Sequence, residues 1–184
     1  MGEHEVKRAV FLDRDGVLNR PVVRDGFPFP PATLAEFELY PDVAEGCSEL
    51  KAAGFLLIVL SNQPDVGRGG QTREAVEAMH DKLRAAVPAL DAIEVCYHAG
   101  ERHHDPCDCR KPKPGMLLHA ATSHGIDLKR SFLIGDRWRD VDCAHAAGCI
   151  AIFIDHGYRE PLRAKPEFTV SGFSEAVATV LGNH

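Results

Sequence analysis

The apolar residues of this chain gather into five short runs, separated by longer stretches of mixed polar and apolar character. The runs occupy residues 9–12, 55–60, 93–96, 131–134 and 150–154. Most of them are apolar without interruption, which is typical of strands that are covered on both faces. The pattern therefore predicts the strands of a parallel sheet.

The stretches between these runs carry the signals of helices with defined ends. Helices are predicted over residues 42–53, 72–87, 114–124 and 137–147. Thr72 is a favourable N-cap, Pro114 suits a first helical turn, and a glycine follows each of the first, third and fourth stretches. Strands that alternate with helices predict an α/β fold: a three-layer, Rossmann-like parallel sheet flanked by helices, which binds ligands at the carboxyl ends of its strands.

Length and composition narrow the class of protein. The 184 residues fit one domain, so we expect residues 1–184 to form a single unit. With 21 basic and 27 acidic side chains the formal net charge is -6, which disfavours nucleic acid as a partner. A small anionic substrate is still compatible with this charge, because a few cations placed in a pocket suffice to bind it.

The chain carries no sequence signal for a membrane. No run approaches the ~20 apolar residues of a membrane span, and the first five residues, MGEHE, lack the features of a signal peptide. We therefore expect a cytoplasmic protein without a membrane partner, and a monomer.

Chemically reactive side chains follow four of the predicted strands. They lie at residues 13–19, 61–69, 96–112 and 135–140. Asp13 and Asp15 are two positions apart, and in extended backbone such side chains point the same way. Because like charges repel unless a cation neutralises them, Mg²⁺ is the expected partner, with Asp136 as a further ligand. Taken alone, Asp-x-Asp-Gly is equally consistent with a surface turn, but the matching features after three more strands favour a site.

Four short motifs make the chain resemble the haloacid dehalogenase (HAD) superfamily of phosphatases. The motifs are residues 11–19 (FLDRDGVLN), 61–63 (SNQ), 111–112 (KP) and 135–140 (GDRWRD). They occur in the order typical of that superfamily, and the resemblance extends from about residue 8 to about residue 155.

The resemblance implies a reaction in which Asp13 attacks phosphorus and forms an aspartyl phosphate, while Asp15 acts as general acid and then as general base. Mg²⁺ would be held by the Asp13 side chain, the Asp15 backbone carbonyl and Asp136. Ser61 and Lys111 would bind phosphate oxygens. Asp140 would orient Lys111 or the water ligands of the metal from outside the reacting groups. Simpler interpretations stay open: Ser61 as a loop cap, and Lys111 and Asp140 as surface charges.

A second constellation lies in the loop after the third strand. Cys96, His98, Cys107 and Cys109 supply three thiolates and one imidazole, a set that suits tetrahedral Zn²⁺. No ligand position is left open, so the zinc is expected to be structural, folding the loop from 96 to 110. The alternatives are unliganded thiols, or His103 or His104 in place of His98.

This loop, and above all residues 107–116 (CDCRKPKPGM), resembles two families within the superfamily: the heptose bisphosphate phosphatases and the histidinol-phosphate phosphatases. The first likeness implies removal of the 7-phosphate of D-glycero-D-manno-heptose 1,7-bisphosphate. The second leaves histidinol phosphate or another small metabolite as the alternative substrate. A non-catalytic, zinc-stabilised binding module is a third hypothesis, which the intact Asp13, Asp15, Lys111 and Asp136 disfavour.

A small phosphorylated sugar needs donors around its second phosphate and its hydroxyls. The candidates for binding it are Asn19, Asn62, Gln63, Arg68, Arg110 and Arg137. Arg110 as a plain surface cation is the simpler interpretation. Only about 20 residues separate Asn19 from the first predicted helix, so no cap domain is expected. Residues 21–31, rich in Pro, Phe and Gly, are expected at the rim of the site, whereas residues 155–166 have no predicted role.

Overall fold

The computed structural model describes residues 6–184, and the first five residues lie outside it. Its strands are β1 (Ala9–Asp13), β2 (Val22–Arg24), β3 (Phe27–Phe29), β4 (Leu56–Asn62), β5 (Ala92–Cys96), β6 (Phe132–Gly135), β7 (Ile150–Ile154) and β8 (Phe168–Val170). Its α-helices are α1 (Val43–Ala52), α2 (Pro64–Gly67), α3 (Arg73–Ala86), α4 (Gly115–His124), α5 (Trp138–Ala147) and α6 (Phe173–Gly182). Single 3₁₀ turns cover Glu101–His103 and Leu128–Arg130.

Six of the strands form one parallel sheet in the order β5-β4-β1-β6-β7-β8. The five strands and four longer helices expected from the hydrophobic pattern are all present, with ends that differ by a residue or two. Thr72 caps α3 as predicted, because its hydroxyl accepts a hydrogen bond from the backbone N–H of Ala75 at 3.1 Å. The predicted three-layer α/β fold is confirmed.

Continuous apolarity of the strands reflects two separate cores. Along β1, Val10 and Leu12 pack on one face of the sheet against α1, α3 and α6. Ala9 and Phe11 pack on the other face, against α4 and α5. Because successive side chains of a strand point to opposite faces, a strand with a core on each side must be apolar at every position.

The order of the strands leaves a crevice at one edge of the sheet. The chain runs outward from β1 through β4 to β5, and then returns to the other side of β1 with β6. The loops that leave the carboxyl ends of β1 and β6 therefore diverge. Such a switch point is where ligands bind in open α/β sheets, and Asp13 ends β1 while Asp136 directly follows β6.

Besides the two 3₁₀ turns, four parts of the structure have no counterpart in the sequence analysis. They are the β2–β3 hairpin, the four-residue helix α2, strand β8 and helix α6. Three-residue strands carry too little alternation to be detected from the sequence. The apolar face of α6 can be identified only from the structure, in which Phe173 and Val177 pack into the core formed with α1. Between β1 and α1 the described residues hold only this short hairpin, with no cap domain. In the described part of the chain no helix has the length and apolarity to span a membrane.

Candidate active site and zinc loop

Asp13 occupies the carboxyl end of the central strand. Its side chain is 12% exposed, and its Oδ1 lies 2.8 Å from the Nζ of Lys111. Burial and the neighbouring Asp140 carboxylate raise the pKa of Asp13 from 3.8 to about 6, despite the opposing effect of Lys111. Asp13 is therefore a poorly solvated carboxylate that opens onto the crevice and has a cation on one side.

Lys111 directly follows the zinc loop, here defined as residues 96–110, and its side chain is 1% exposed. Its ammonium lies 2.8 Å from Asp13, 2.7 Å from Asp140 and 2.9 Å from the carbonyl oxygen of Leu60. An ammonium has three N–H groups, so three acceptors fix its direction. Although burial alone would lower the pKa of Lys111, Asp13 and Asp140 raise it above its ordinary value. Lys111 is thus a fixed cation beside the Asp13 carboxylate.

The acid cluster consists of Asp13, Asp136 and Asp140, whose nearest carboxylate oxygens all lie within 4.8 Å of one another. Both carboxylate oxygens of Asp136 are buried and form no hydrogen bond of ordinary geometry. Burial, then repulsion from Asp13 and Asp140, raises the pKa of Asp136 well above its ordinary value, and the nearby Tyr158 hydroxyl offsets this rise only in part. Orphaned carboxylate oxygens grouped at this distance are the donor set that Mg²⁺ takes in proteins, so the residues fit the predicted cation.

Gly16 makes room for Asp136. A Cβ atom at position 16 would lie 1.8 Å from the Oδ2 of Asp136, and the φ angle of Gly16 is +93°. Both the space and the left-handed backbone therefore require glycine here. The Asp-x-Asp-Gly motif read from the sequence thus lets the loop after β1 approach the Asp136 carboxylate.

The side chain of Asp15 points away from the acid cluster. It accepts hydrogen bonds from Asn19 Nδ2 at 3.0 Å and from Gln63 Nε2 at 2.9 Å, and it pairs with the guanidinium of Arg14 at 3.0 Å. Gln63 also donates to the buried hydroxyl of Ser61 at 2.8 Å. Asn19 and Gln63, which the sequence analysis assigned to substrate binding, therefore hold the predicted acid and base in this structure. Their substrate role stays a prediction.

Asn62, another predicted substrate ligand, fastens the zinc loop to the sheet. Its Nδ2 donates to the backbone oxygen of Lys111 at 3.0 Å, and its Oδ1 accepts from the backbone N–H of Lys111 at 3.1 Å. This reciprocal pair ties β4 to the end of the zinc loop and so sets the height of Lys111 above the sheet.

Two cavities meet at the site. The smaller one, of about 80 Å³, is lined by Asp13, Asp15 and part of the predicted rim, including Pro28 and Phe29. The larger one, of about 470 Å³, lies on the zinc-loop side and is rich in cations, which include Arg68, Arg102, Arg110, Lys113, Arg139 and Arg163. Lys111 and Arg139 line both cavities.

Two arginines of the fourth motif differ in what they already bind. Arg137 forms two hydrogen bonds of 2.6 Å with Glu160, so its charge is largely neutralised. Arg139 has only a 3.4 Å contact with the same carboxylate, and its buried Nε has no partner. The sequence analysis missed Arg139. Its position four residues after β6 was a usable signal, since side chains there face the switch point.

The segment after β7, which had no predicted role, packs against the site. His156 Nε2 hydrogen-bonds with the backbone oxygen of Gly16 at 2.7 Å. Glu160 holds Arg137, and the guanidinium of Arg163 lies 3.3 Å from the centre of the Trp138 ring. Residues 155–166 therefore support the first and fourth motifs from outside. Nothing in their polar composition indicates this, because the contacts depend on the path of the loop.

Arg14 is a further residue that the sequence analysis passed over. It is fully buried, and besides Asp15 it contacts the fully buried His80 on α3 at 3.2 Å. A cation between two predicted catalytic acids was a usable signal, because a guanidinium can pair with a neighbouring carboxylate. Its partner on α3 is a matter of tertiary structure.

The thiol cluster consists of Cys96, His98, Cys107 and Cys109, whose ligand atoms lie within 4.8 Å of one another. Cys96 Sγ is 3.6 Å from Cys107 Sγ, and His98 Nδ1 is 3.6 Å and 3.3 Å from the sulfurs of Cys96 and Cys109. With Zn–S bonds of ~2.3 Å, tetrahedral ligands are separated by about 3.5–3.8 Å. The predicted donor set thus fits zinc. His103 and His104 are not members of this cluster.

Gly115 lets helix α4 begin against the zinc loop. A Cβ atom there would lie 2.3 Å from the backbone oxygen of Asp108, which also accepts a hydrogen bond from the Gly115 N–H at 3.1 Å. Because Asp108 lies between the zinc-ligand positions 107 and 109, the loop depends on this close approach as well as on the metal.

Comparison with known proteins places these features in a family. A family model described as HAD-hydrolase-like matches residues 108–176. D-glycero-β-D-manno-heptose-1,7-bisphosphate 7-phosphatase of Rhodopseudomonas palustris is 36% identical over 148 residues, which cover 76% of this chain and 79% of that protein. The enzyme of the same name from Pseudomonas aeruginosa is 34% identical and covers 85% of this chain and 86% of the relative.

Solved structures agree with the sequence relatives. D,D-heptose 1,7-bisphosphate phosphatase from B. bronchiseptica, complexed with magnesium and phosphate, superposes with a TM-score of 0.78 at 27% identity and covers 96% of this chain and 99% of that one. A protein from Mesorhizobium loti described as HAD-like gives a TM-score of 0.76 at 25% identity, with 96% of this chain and 85% of that one covered. The chain therefore belongs to the family of HAD-like phosphatases that includes the heptose-1,7-bisphosphate 7-phosphatases.

Proposed function

We propose that this chain is a Mg²⁺-dependent phosphatase that removes the 7-phosphate of D-glycero-D-manno-heptose 1,7-bisphosphate. The observation that carries the proposal is the Asp13 carboxylate at the switch point, flanked by the Lys111 ammonium at 2.8 Å and by the orphaned oxygens of Asp136. The relatives named for this reaction, at 34–37% identity, supply the substrate.

In the first half of the reaction Asp13 acts as the nucleophile. A carboxylate oxygen of Asp13 forms a bond to phosphorus, the bond from phosphorus to the sugar oxygen breaks, and that oxygen takes a proton from the Asp15 carboxyl. The products of this half are the free sugar hydroxyl, the aspartyl phosphate and the Asp15 carboxylate. Ser61 donates its hydroxyl to an oxygen of the transferred group. Lys111 offsets the charge of that group and exchanges its contact with Asp13 for one with a phosphate oxygen.

In the second half, Asp15 takes a proton from water, whose oxygen attacks phosphorus. The bond from phosphorus to Asp13 breaks, inorganic phosphate leaves, and the Asp13 carboxylate and the Asp15 acid are restored. Asp13, Asp136 and the Asp15 backbone carbonyl would hold Mg²⁺, which supplies charge neutralisation to the phosphate. Zn²⁺ at the thiol cluster would keep the loop that carries Arg110 and Lys111 in place.

The larger cavity supports a substrate with two phosphates. It lies directly beyond Lys111, it is lined by six arginine and lysine side chains besides Lys111, and Arg139 joins it to the Asp13 cavity. In a chain of net charge -6, such a concentration of cations favours a second anionic group at this place. We propose that Arg68, Arg110 and Arg139 receive the phosphate that is not transferred.

A substrate panel tests the proposal. We expect the purified protein with Mg²⁺ to release phosphate from heptose 1,7-bisphosphate, offered as each anomer separately, and phosphorus NMR to show that the 1-phosphate stays. Histidinol phosphate, the alternative substrate, should react at least 100-fold more slowly. Asp13→Asn should abolish release. Equal rates for wild type and Asp13→Asn would eliminate the enzyme, whereas preference for histidinol phosphate would correct only the substrate.

We further propose that residues 1–184 act as one domain, that the protein is a monomer and that it works in the cytoplasm. The single six-stranded sheet, with a core on each face, supports the first point. Light scattering on a size-exclusion column measures the oligomeric state, and fractionation of the producing cells measures the location.

A further inference from the structure

We propose that Arg14 and His80 are positioning residues for the general acid and base Asp15, and that Glu77 and Tyr97 extend this hydrogen-bonded chain to the zinc loop. The inference rests on the proposed phosphatase function. It assigns a role to a buried arginine and a buried histidine that the mechanism above does not use.

Arg14 is an unusual cation because its side chain is fully buried. Its Nε lies 3.2 Å from Oδ1 of Asp15, and its Nη2 lies 3.0 Å from both carboxylate oxygens. The guanidinium also lies 5.3 Å from the centre of the Phe37 ring. A buried guanidinium needs partners for all its N–H groups, and these contacts leave Nη1 for a partner on another element.

That partner is His80 on α3, which is also fully buried. Its Nε2 lies 3.2 Å from Nη1 of Arg14. A guanidinium has no acceptor, so this contact requires Nε2 of His80 to be unprotonated and to accept. Burial and then the charge of Arg14 lower the pKa of His80, in agreement with a neutral ring. The proton of the neutral ring must then be on Nδ1.

Glu77, one helical turn before His80, holds that tautomer. Its Oε1 lies 3.4 Å from Nδ1 of His80 and also accepts a hydrogen bond from the hydroxyl of Tyr97. Tyr97 lies between the zinc-loop residues Cys96 and His98, so the chain of contacts runs from Asp15 to the thiol cluster. Together with the hydrogen bonds from Asn19 and Gln63, this chain of contacts supports one orientation of the Asp15 carboxylate.

Loss of the His80 acceptor should move Arg14 and, with it, Asp15. If the buried Nη1 lost its partner, the Arg14 guanidinium would rotate toward another acceptor. Its Nε and Nη2 contacts with Asp15 would then shift as well. Displacement of a catalytic group by about 1 Å can cost on the order of 100-fold in rate. Asp13 accepts a hydrogen bond from the backbone N–H of Arg14 at 2.8 Å, but no hydrogen bond or ion pair joins it to the Arg14 guanidinium, so the nucleophile should keep its place.

The experiment uses two substrates that differ in their need for an acid. p-Nitrophenolate leaves without protonation, whereas the sugar oxygen of heptose bisphosphate requires a proton from Asp15. Since kcat/KM reports the first irreversible step, His80→Leu should lower kcat/KM on the order of 100-fold for the sugar phosphate and less than about threefold for p-nitrophenyl phosphate. With the aryl substrate the variant should show a burst of p-nitrophenolate, because Asp15 is still needed as base to hydrolyse the aspartyl phosphate.

Matched variants separate positioning from general damage. His80→Gln keeps an acceptor for Arg14, so its kcat/KM for the sugar phosphate should return most of the way to the wild-type value. Met79→Ala removes a neighbouring buried side chain of α3 and should lower the melting temperature without changing the ratio of the two kcat/KM values. His119, which forms an exposed pair with Glu94 at 3.2 Å, should be replaceable by Gln without any effect.

The outcomes are decisive in either direction. An equal fall of both kcat/KM values in His80→Leu, an absent burst, or no effect at all would overturn the positioning role. An inactive wild type would overturn the proposed function together with this role. If wild type accepts only p-nitrophenyl phosphate, the substrate proposal fails, and the presence or absence of the burst still decides the role of His80. Should His80→Leu not fold, the same measurements on Arg14→Lys and Tyr97→Phe apply, with a smaller burst expected for Tyr97→Phe.

Discussion

The acid cluster and the thiol cluster each gather side chains that fit a metal ion, but they are built in opposite ways. Asp13, Asp136 and Asp140 come from the ends of β1 and β6 and from α5, and all three are buried. Cys96, His98, Cys107 and Cys109 lie within 14 consecutive residues, and their burial ranges from buried Cys96 to exposed His98.

At one cluster the protein fold fixes the metal ligands, and at the other the metal fixes the fold of the loop. At the acid cluster the sheet is rigid and forces like charges together, at a cost that a cation and a phosphate offset when they bind. At the thiol cluster the loop has little apolar material, and the metal supplies the contacts that fix its fold. Removing one acid should therefore impair activity and spare the fold, whereas removing one thiol should impair the fold first and activity through it.

The largest effect is expected from Asp136→Asn. We expect phosphate release to fall by roughly 1,000-fold, or about 4 kcal/mol of transition-state stabilisation, because a ligand of the cation is lost. In the presence of a chelator the free energy of unfolding should rise by roughly 1–2 kcal/mol, since a buried repulsive charge is gone. Rates and urea unfolding curves measure the two quantities. A variant that is both inactive and less stable would contradict the contrast drawn here.

Cys109→Ser should have the next largest effect, with the opposite balance. Loss of zinc should lower the free energy of unfolding by about 3–5 kcal/mol, and activity should fall roughly 10- to 100-fold because Arg110 and Lys111 follow the loop. Metal analysis, unfolding curves and rates test this. Cys149→Ala is the control, as this buried cysteine lies outside the cluster and should leave zinc content unchanged. Full stability without zinc would show that the loop folds unaided.

Gly115→Ala tests whether the zinc loop depends on its contact with the start of α4 as well as on the metal. The added Cβ would lie 2.3 Å from the backbone oxygen of Asp108, so we expect about 1–3 kcal/mol of destabilisation and only a few-fold loss of activity. Gly182→Ala is the matched control, because no atom lies within 4 Å of the position its Cβ would take. If both variants unfold like wild type, the metal alone determines the loop.

The smallest effect is expected for Glu160→Gln, which removes the partner of Arg137 beside the acid cluster. Burial would raise the pKa of Glu160, but the hydrogen bonds and charge of Arg137 lower it below 4.5. A depressed folded-state pKa contributes stability above the unfolded value, and this is lost as the pH falls through the folded value. The variant should be about 1 kcal/mol less stable at pH 7. The difference should begin to shrink as the pH falls below about 4.5 and should vanish only below the lowered folded-state pKa of Glu160. Unfolding curves at several pH values, with Glu49→Gln as an exposed control, test this.

Much of the fold could be predicted because its signal is local. Runs such as residues 55–60 are apolar at every position, and Gly125 and Gly148 end helices in the left-handed conformation that glycine tolerates. The β2–β3 hairpin and β8 were missed because strands of three residues show no periodicity. Helix α6 was missed because its apolar face is explained only by its packing against α1.

The candidate site divides in the same way. Its position at the strand ends follows from the alternation of strands and helices, so Asp13, Lys111 and Asp136 could be expected to meet. The partners of individual side chains could not be predicted. Arg137 pairs with Glu160, Asn62 holds the backbone of Lys111, and Arg14 reaches His80, each across 23 to 66 residues of sequence.

The sequence by itself therefore determined which chemical groups this chain brings together: a carboxylate at the end of the first strand, further acids that suit a cation, and a compact set of thiols in one loop. Those features depend on residue type and on short spacing. Only the tertiary structure decided which groups are neutralised and which stay free, namely that Asp136 and Arg139 keep unpartnered polar atoms while Arg137 and Asp15 do not. The physical reason is that burial and pairing of a charge depend on segments far apart in the chain, whose approach is fixed by the packing of both cores.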